Sequence, residues 1–339
     1  MLATHEFRDR DHVFSYLTDA YAGKAPALHC FTFLLDRRFS LDEALGLARD
    51  KGIELDLTKR SEDLYLLRVG VRTSYEIGHF FAMDNNWLFL SDGQTAKLNS
   101  TIGALAKSTF PALKLAYVPS KTLLKRIAKI AERYDQLIVS EGTIRTKGQT
   151  SRNWKTEPVG FTIRRMEREA DNADGKWTSI SFRGLAHGSE VLSCRIYERG
   201  HLTLYSGRFP EFYQDVVLPY LSDARGFHER LRGKERKETP RGPALHPLAF
   251  SLHKTITAGE MQLLRGEIIR NYAAAVTHPG NPMLMMELSD RNDGSGFDLY
   301  AYGSKVQIVP QLKATPGALT ELIALIYDVL PTGIPPVTG

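Results

Sequence analysis

The sequence predicts an α+β protein built from two or three units of mainly antiparallel sheet with covering helices. Three observations carry that expectation. Strand-length apolar runs follow one another with only turn residues between them, as hairpins do. Segments of helical period close blocks of strands instead of alternating with single strands. No Gly-rich turn joins a strand to a helix, which disfavours a doubly wound nucleotide fold.

The elements follow in order. Residues 11–21 (DHVFSYLTDAY) suit a short helix with Val13, Phe14, Leu17 and Tyr21 on one stripe. ALHCFTFLL is a strand, and Ser40 with Glu43 forms a capping box for the helix LDEALGLARDKG, stopped at Gly52. LYLLRVG, HFFAM and WLFL read as strands, the last two joined by a turn at Asp84-Asn85-Asn86. A helix after Leu98 ends at Pro111, LKLAYV is a strand, and Pro119-Ser120 opens a helix over KTLLKRIAKIAERY with Leu124, Ile127, Ala131 and Tyr134 inward. The strand QLIVSEG closes a first domain, residues 1–142.

Residues 143–160 are polar, basic and turn-rich, and read as a linker or mobile loop. They open a middle unit, residues 143–224, with FTIRRMERE, WTSISFRG, EVLSCRIYERG and HLTLYSG as four strands before a Pro210-led helix. A C-terminal unit, residues 245–339, has PLAFSLH as a strand, TAGEMQLLRGEIIRNYAAAV as a helix, three strands, and ALTELIALIYDVL as a closing helix. Its order of elements repeats that of the first domain, which raises the expectation of an internal duplication.

Composition narrows function only loosely. The 339 residues carry 44 Lys plus Arg against 39 Asp plus Glu, a net charge of +5 that favours acidic partners without requiring them. Cys30 and Cys194 lie in separate strand-like runs with no CxxC, as buried thiols of a reducing compartment do, so the expected location is cytoplasmic. The segment MLATHEFRDRDH lacks the apolar centre of a signal peptide, and no run approaches a membrane span, so no membrane partner is expected.

The charge is concentrated in three tracts. Arg225 to Arg241 holds seven Lys or Arg, one His and three Glu, and Arg225, Arg230, Arg232, Lys234, Arg236 and Lys237 are candidates for phosphate contacts. Lys121, Lys125 and Lys129 recur every four residues on one helix face, with Arg126 and Arg133 adjacent. Arg145, Lys147, Arg152 and Lys155 follow, with Trp154 as an aromatic able to stack on a base. Solvated surface explains such residues too, and Glu229, Glu235 and Glu238 dilute the third tract. The leading expectation is a nucleic-acid-binding protein without catalytic activity, of the kind found among prokaryotic regulatory or phage-defence components.

Two alternatives stand beside it. A metal-dependent nuclease would use Asp36, Glu54 and Asp56 to hold Mg²⁺ and Lys59 to stabilise charge, since Glu54 and Asp56 share one face of a short strand. A protein-interaction or structural subunit, including a homo-oligomer, would use the apolar last helix and the Pro-rich tail. No cofactor fingerprint or metal-ligand spacing occurs; DRNDGSGFD misses the EF-hand pattern because Gly294 is fifth and Ala301 twelfth. His187 and His201 flank one strand and read as structural.

Overall fold

The computed structural model describes residues 2, 5–22, 25–71, 74–83, 86–146, 151–155, 163–173, 175–231, 237–239, 242–244, 247–252, 254–280, 283–311 and 313–330. It is an α+β fold with several sheets covered by helices. Two compact units are present: Met1–Thr143 with Asn153–Met166 and Trp177–Arg225, and Ile144–Arg152 with Glu167–Lys176 and Gly226–Gly339.

The chain begins with α1 (Arg10–Tyr21), β1 (Leu28–Leu35), α2 (Leu41–Asp50), β2 (Glu54–Lys59), β3 (Leu64–Val71), β4 (Ser74–Met83), β5 (Asn86–Ser91), α3 (Thr95–Thr109), β6 (Leu113–Leu115) and α4 (Ser120–Ala131). It continues with β7 (Gln136–Thr146), β8 (Ser151–Lys155), α5 (Ile163–Asn172), β9 (Gly175–Ala186), β10 (Ser189–Tyr197) and β11 (His201–Gly207). A helical run follows as α6 (Phe209–Glu211), a π-helical stretch (Phe212–Val217) and α7 (Leu218–Leu231). The eleven-stranded sheet has the order β2-β3-β4-β5-β1-β11-β10-β9-β7-β8, with β6 on β1. One face of β1 and β3–β5 buries Phe31, Phe33, Leu67, Val69, Phe80 and Phe89 against Ala44 and Leu45 of α2 and Leu98, Ile102 and Leu105 of α3. On the other face Phe14 of α1 packs edge-on against Phe209 and Tyr213 at 5.3 and 4.7 Å.

The remainder is a hairpin, β12 (Lys237–Thr239) with β13 (Gly242–Ala244), then β14 (Leu248–Ser251), α8 (Ala258–Asn271), β15 (Tyr272–Pro279), β16 (Met283–Asp290), β17 (Gly296–Tyr302), β18 (Lys305–Pro310) and α9 (Pro316–Val329). Its five-stranded sheet has the order β14-β18-β17-β16-β15. Read from the other edge this is β15-β16-β17-β18-β14, the same strand, helix, four-strand meander and helix as β2-β3-β4-β5-β1 with α2 and α3. The first helix of each copy starts with a capping box, Ser40 with Glu43 and Thr257 with Glu260. The sequence expectation of a repeated order of elements thus extends to strand order and antiparallel pairing.

Several sequence readings are corrected. The expected strand FTIRRMERE is helical from Ile163 onward, as part of α5, because Met166 and Ala170, four residues apart, are buried positions; Phe161 and Thr162 lie outside the described residues. The expected loop at 143–160 contains the end of β7 and all of β8; an edge strand that exposes nearly every side chain has the polar composition of a loop. The helix expected through Val276 stops at Asn271, and Tyr272 to Val276 pair with β16 despite the helix propensity of three alanines. Arg291 donates to the Ile269 and Tyr272 carbonyls at 3.2 and 3.1 Å, which secures that end. No sheet boundary falls at residue 142: β9–β11 join the sheet of the first strands because β11 pairs with β1, from Leu28 opposite Leu204 to Phe31 opposite His201. No helix among the described residues is long and apolar enough to cross a membrane.

Candidate nucleic-acid interface

Helix α4 buries Leu123, Leu124, Ile127 and Ile130, which leaves Lys121, Lys125 and Lys129 exposed at four-residue spacing on its outer face. The arginines of the same helix region do something else. Arg126 donates to both carboxylate oxygens of Asp223, at 2.8 and 2.6 Å, in a largely buried bidentate pair. Arg133 pairs with Asp215, which also accepts from the Tyr134 hydroxyl at 3.1 Å. Burial, together with Asp215, raises the Tyr134 phenol above its ordinary range, so it remains a donor. Arg126 and Arg133 therefore bind α4 to the helical run that follows β11.

Trp177, fully buried in β9, ties three segments together. Its backbone N–H donates to Ser120 Oγ at the start of α4 (3.1 Å), and its indole N–H donates to the Met166 carbonyl of α5 (2.9 Å). Trp154 of β8 packs edge-on against its ring at 5.6 Å. Room for the indole comes from Gly142, where a Cβ would stand 2.4 Å from the ring. The residues flanking these contacts are basic and exposed: Lys121 beside Ser120, Lys155 beside Trp154, and Arg164 and Arg165 before Met166. Trp154 itself is half-buried.

The other basic candidates are scattered. Arg145 and Lys176 both reach Asp328 of α9, at 2.8 and 2.7 Å, and Lys176 is buried. Arg152 is exposed on β8, and Lys147 lies outside the described residues. The third tract begins inside α7, where Phe227 and Leu231 are buried, so its first half contributes to a core. Arg225 is half-buried there, and Arg230 stands 5.9 Å from the Phe227 ring. Arg232, Lys234 and Arg236 lie outside the described residues, as does the side chain of Lys237 in β12.

The four nuclease candidates are not brought together. Four strand spacings separate β1, which Asp36 follows, from β2, which holds Glu54 and Asp56, a span of roughly 19 Å. Asp36 is ion-paired with Arg38 (2.9 Å), Glu54 accepts from the Tyr75 hydroxyl (2.7 Å), and Asp56 stands opposite Arg68, which covers the Tyr75 ring at 4.5 Å. Lys59 projects from the opposite face of β2, because residues 56 and 59 are separated by an odd number of positions. Among the described residues no group of three or more His, Cys, Asp or Glu side chains has the arrangement of a metal site. In the DRNDGSGFD loop the Asp290 carboxylate accepts from Asn292 N (2.7 Å), and Asp293 accepts from Ser295 and Thr315 hydroxyls at 2.9 and 2.8 Å.

Sequence reasoning missed a buried polar cluster. His29 of β1 and His201 of β11 approach to 3.1 Å through Nδ1 and Nε2, with Thr203 Oγ1 3.3 and 3.2 Å from the two nitrogens and Thr95 Oγ1 3.3 Å from His29 Nε2. Phe31 and Tyr197 each stack on the His201 ring, with centroids at 4.3 and 4.7 Å. Burial, then the neighbouring His29 and Arg195, lowers the His201 pKa to about 3; burial also lowers that of His29, against the pull of Asp92. Farther along this sheet face Arg195 donates to Glu141 (2.9 Å), Ser179 (2.8 Å) and Thr143 (3.2 Å), so it is held internally instead of presented to a ligand. His187, the other histidine singled out, sits exposed in the β9–β10 turn at the far end of β10 from His201. The available signal was a histidine alternating with Phe31 and Phe33 on the inward side of a strand.

No protein-family model matches the chain, and no curated protein sequence matches it.

Proposed function

We propose that this protein binds nucleic acid through phosphate contacts made by Lys121, Lys125, Lys129, Lys155, Arg164 and Arg165. The supporting observation is the set of contacts around Trp177, by which Ser120, Trp154 and Met166 draw the start of α4, β8 and α5 to one buried indole. Lys121, Lys155, Arg164 and Arg165 adjoin those contacts in sequence and Lys125 and Lys129 continue the exposed face of α4; in this reading the six cations act together, so that several phosphates are neutralised at once. Trp154 supplies an aromatic within the same neighbourhood for a single-stranded base. Cytoplasmic residence goes with this reading and agrees with two buried unpaired thiols.

The test is fluorescence anisotropy with labelled single-stranded DNA, duplex DNA and RNA at low and physiological salt. Binding to at least one at low salt, lost on combined Lys121→Glu, Lys125→Glu and Lys129→Glu substitution, is expected. Absence of binding to all three at low salt overturns the proposal.

A further inference from the structure

The five-stranded sheet has unlike faces. Leu284 and Met286 of β16 and Leu299 and Ala301 of β17 are buried, and on their face Phe250 of β14 packs edge-on against Tyr327 of α9 at 5.7 Å. The alternate residues of β16 and β17 point the other way. There Glu287 is exposed, Tyr302 is 39% exposed, and Met283, Met285, Asp298 and Tyr300 are half-buried.

Register sets the chemistry of this second face. Glu287 stands directly opposite Asp298, and Met283 and Met285 stand opposite Tyr302 and Tyr300. Like charges directly opposite each other destabilise a sheet. Among the described residues neither carboxylate has an ion-pair partner: Asp298 accepts from the neutral Gln311 Nε2 at 2.7 Å, and the next residues across the sheet are Ala275 and Val309. Two uncompensated carboxylates thus lie side by side, bordered by aromatic rings and thioethers, in a chain of net charge +5.

The equivalent face of the first copy carries a helix. Its side away from α2 and α3 receives α1, the helix before β1, through Phe14 against Phe81 of β4 at 5.9 Å. β14 is the counterpart of β1, and the element before it is the β12–β13 hairpin instead of a helix. We infer that this face of the second copy binds a basic amphipathic helix of a partner protein. Lys or Arg side chains of that helix neutralise the Glu287–Asp298 pair and lay their stems and cationic heads against Tyr300 and Tyr302, while its apolar residues pack on the adaptable Met283 and Met285. One helix on one sheet face is a small interface, with a Kd of about 1–100 µM.

The test is fluorescence anisotropy of the intact chain with a labelled amphipathic peptide of Leu and Lys, beside the same peptide with every Lys replaced by Glu. Only the Leu/Lys peptide is expected to bind. Glu287→Lys with Asp298→Lys exchanges one like-charged pair for another, so strand pairing is no worse; it is expected to weaken the Leu/Lys peptide by about tenfold or more and to create binding of the Leu/Glu peptide. Replacing Lys121, Lys125 and Lys129 by Ala leaves peptide affinity unchanged, so this inference and the nucleic-acid reading fail separately. Absence of Leu/Lys binding overturns the inference, as does binding that the double lysine variant leaves intact. Single-stranded DNA binding lost in Tyr300→Ala with Tyr302→Ala, with peptide binding unaffected, assigns the face to nucleic acid and also overturns it.

Discussion

Lowering the pH from 7 to 5 is expected to destabilise the protein through His201. In the unfolded chain this imidazole titrates near its ordinary value of about 6.5, whereas burial holds it near 3 in the fold. Above pH 6.5 the residue is neutral in both states and contributes no pH dependence. As pH falls below 6.5 the unfolded state gains a proton that the native state refuses, so stability drops until the pH reaches the folded value and the loss levels off. At pH 5 the two values give a loss of about 2 kcal/mol, and His29, shifted in the same direction by burial, adds to it. Urea denaturation at pH 7 and pH 5, compared between wild type and His201→Gln, isolates the effect because other titrating groups cancel in the difference. The variant is less stable at pH 7 but loses about 2 kcal/mol less between the two pH values. Equal losses in both proteins refute the assignment of a buried neutral imidazole.

Further outcomes follow from buried contacts. Asp328→Ala leaves the buried Lys176 without its carboxylate and is expected to cost about 3–5 kcal/mol in urea denaturation, whereas an effect under about 1 kcal/mol contradicts a buried pair. Gly142→Ala drives a methyl into the Trp177 ring, where a Cβ would stand at 2.4 Å, and is expected to destabilise by about 1–3 kcal/mol with a shift in tryptophan fluorescence. Arg126→Ala exposes Asp223 to partial burial without its fork of donors and costs about 1–3 kcal/mol, while the exposed Lys125→Ala changes stability by less than about 0.5 kcal/mol.

The strands were legible where a continuous apolar run is buried on both faces, as in ALHCFTFLL, and where apolar residues alternate under one cover, as in the meander of the last unit, and the Ser40–Glu43 capping box was legible from its local signature. Partners were not legible. Whether β11 would pair with β1 depends on contacts some 170 positions apart, and the same pairing creates the His29–His201 cluster. Arg126, Arg133 and Arg145 look like the lysines beside them in sequence, yet Asp223, Asp215 and Asp328 claim them across the fold. The α5 segment was misread because its alternation around Ile163 suits a strand over a few residues, and only the spacing from Met166 to Ala170 distinguishes the helix.

The most direct measurement of the proposed interface is the salt dependence of binding for two triple variants. Six phosphate contacts on duplex DNA correspond to a slope of about −5 in log affinity against log salt, a loss of about a thousandfold between 50 and 200 mM. Replacing Lys121, Lys125 and Lys129 by Ala, or Lys155, Arg164 and Arg165 by Ala, is expected to reduce the magnitude of that slope by about 2.7 in each case. The contradicting result is a wild-type slope retained by either triple variant, which would remove that group of residues from the phosphate surface.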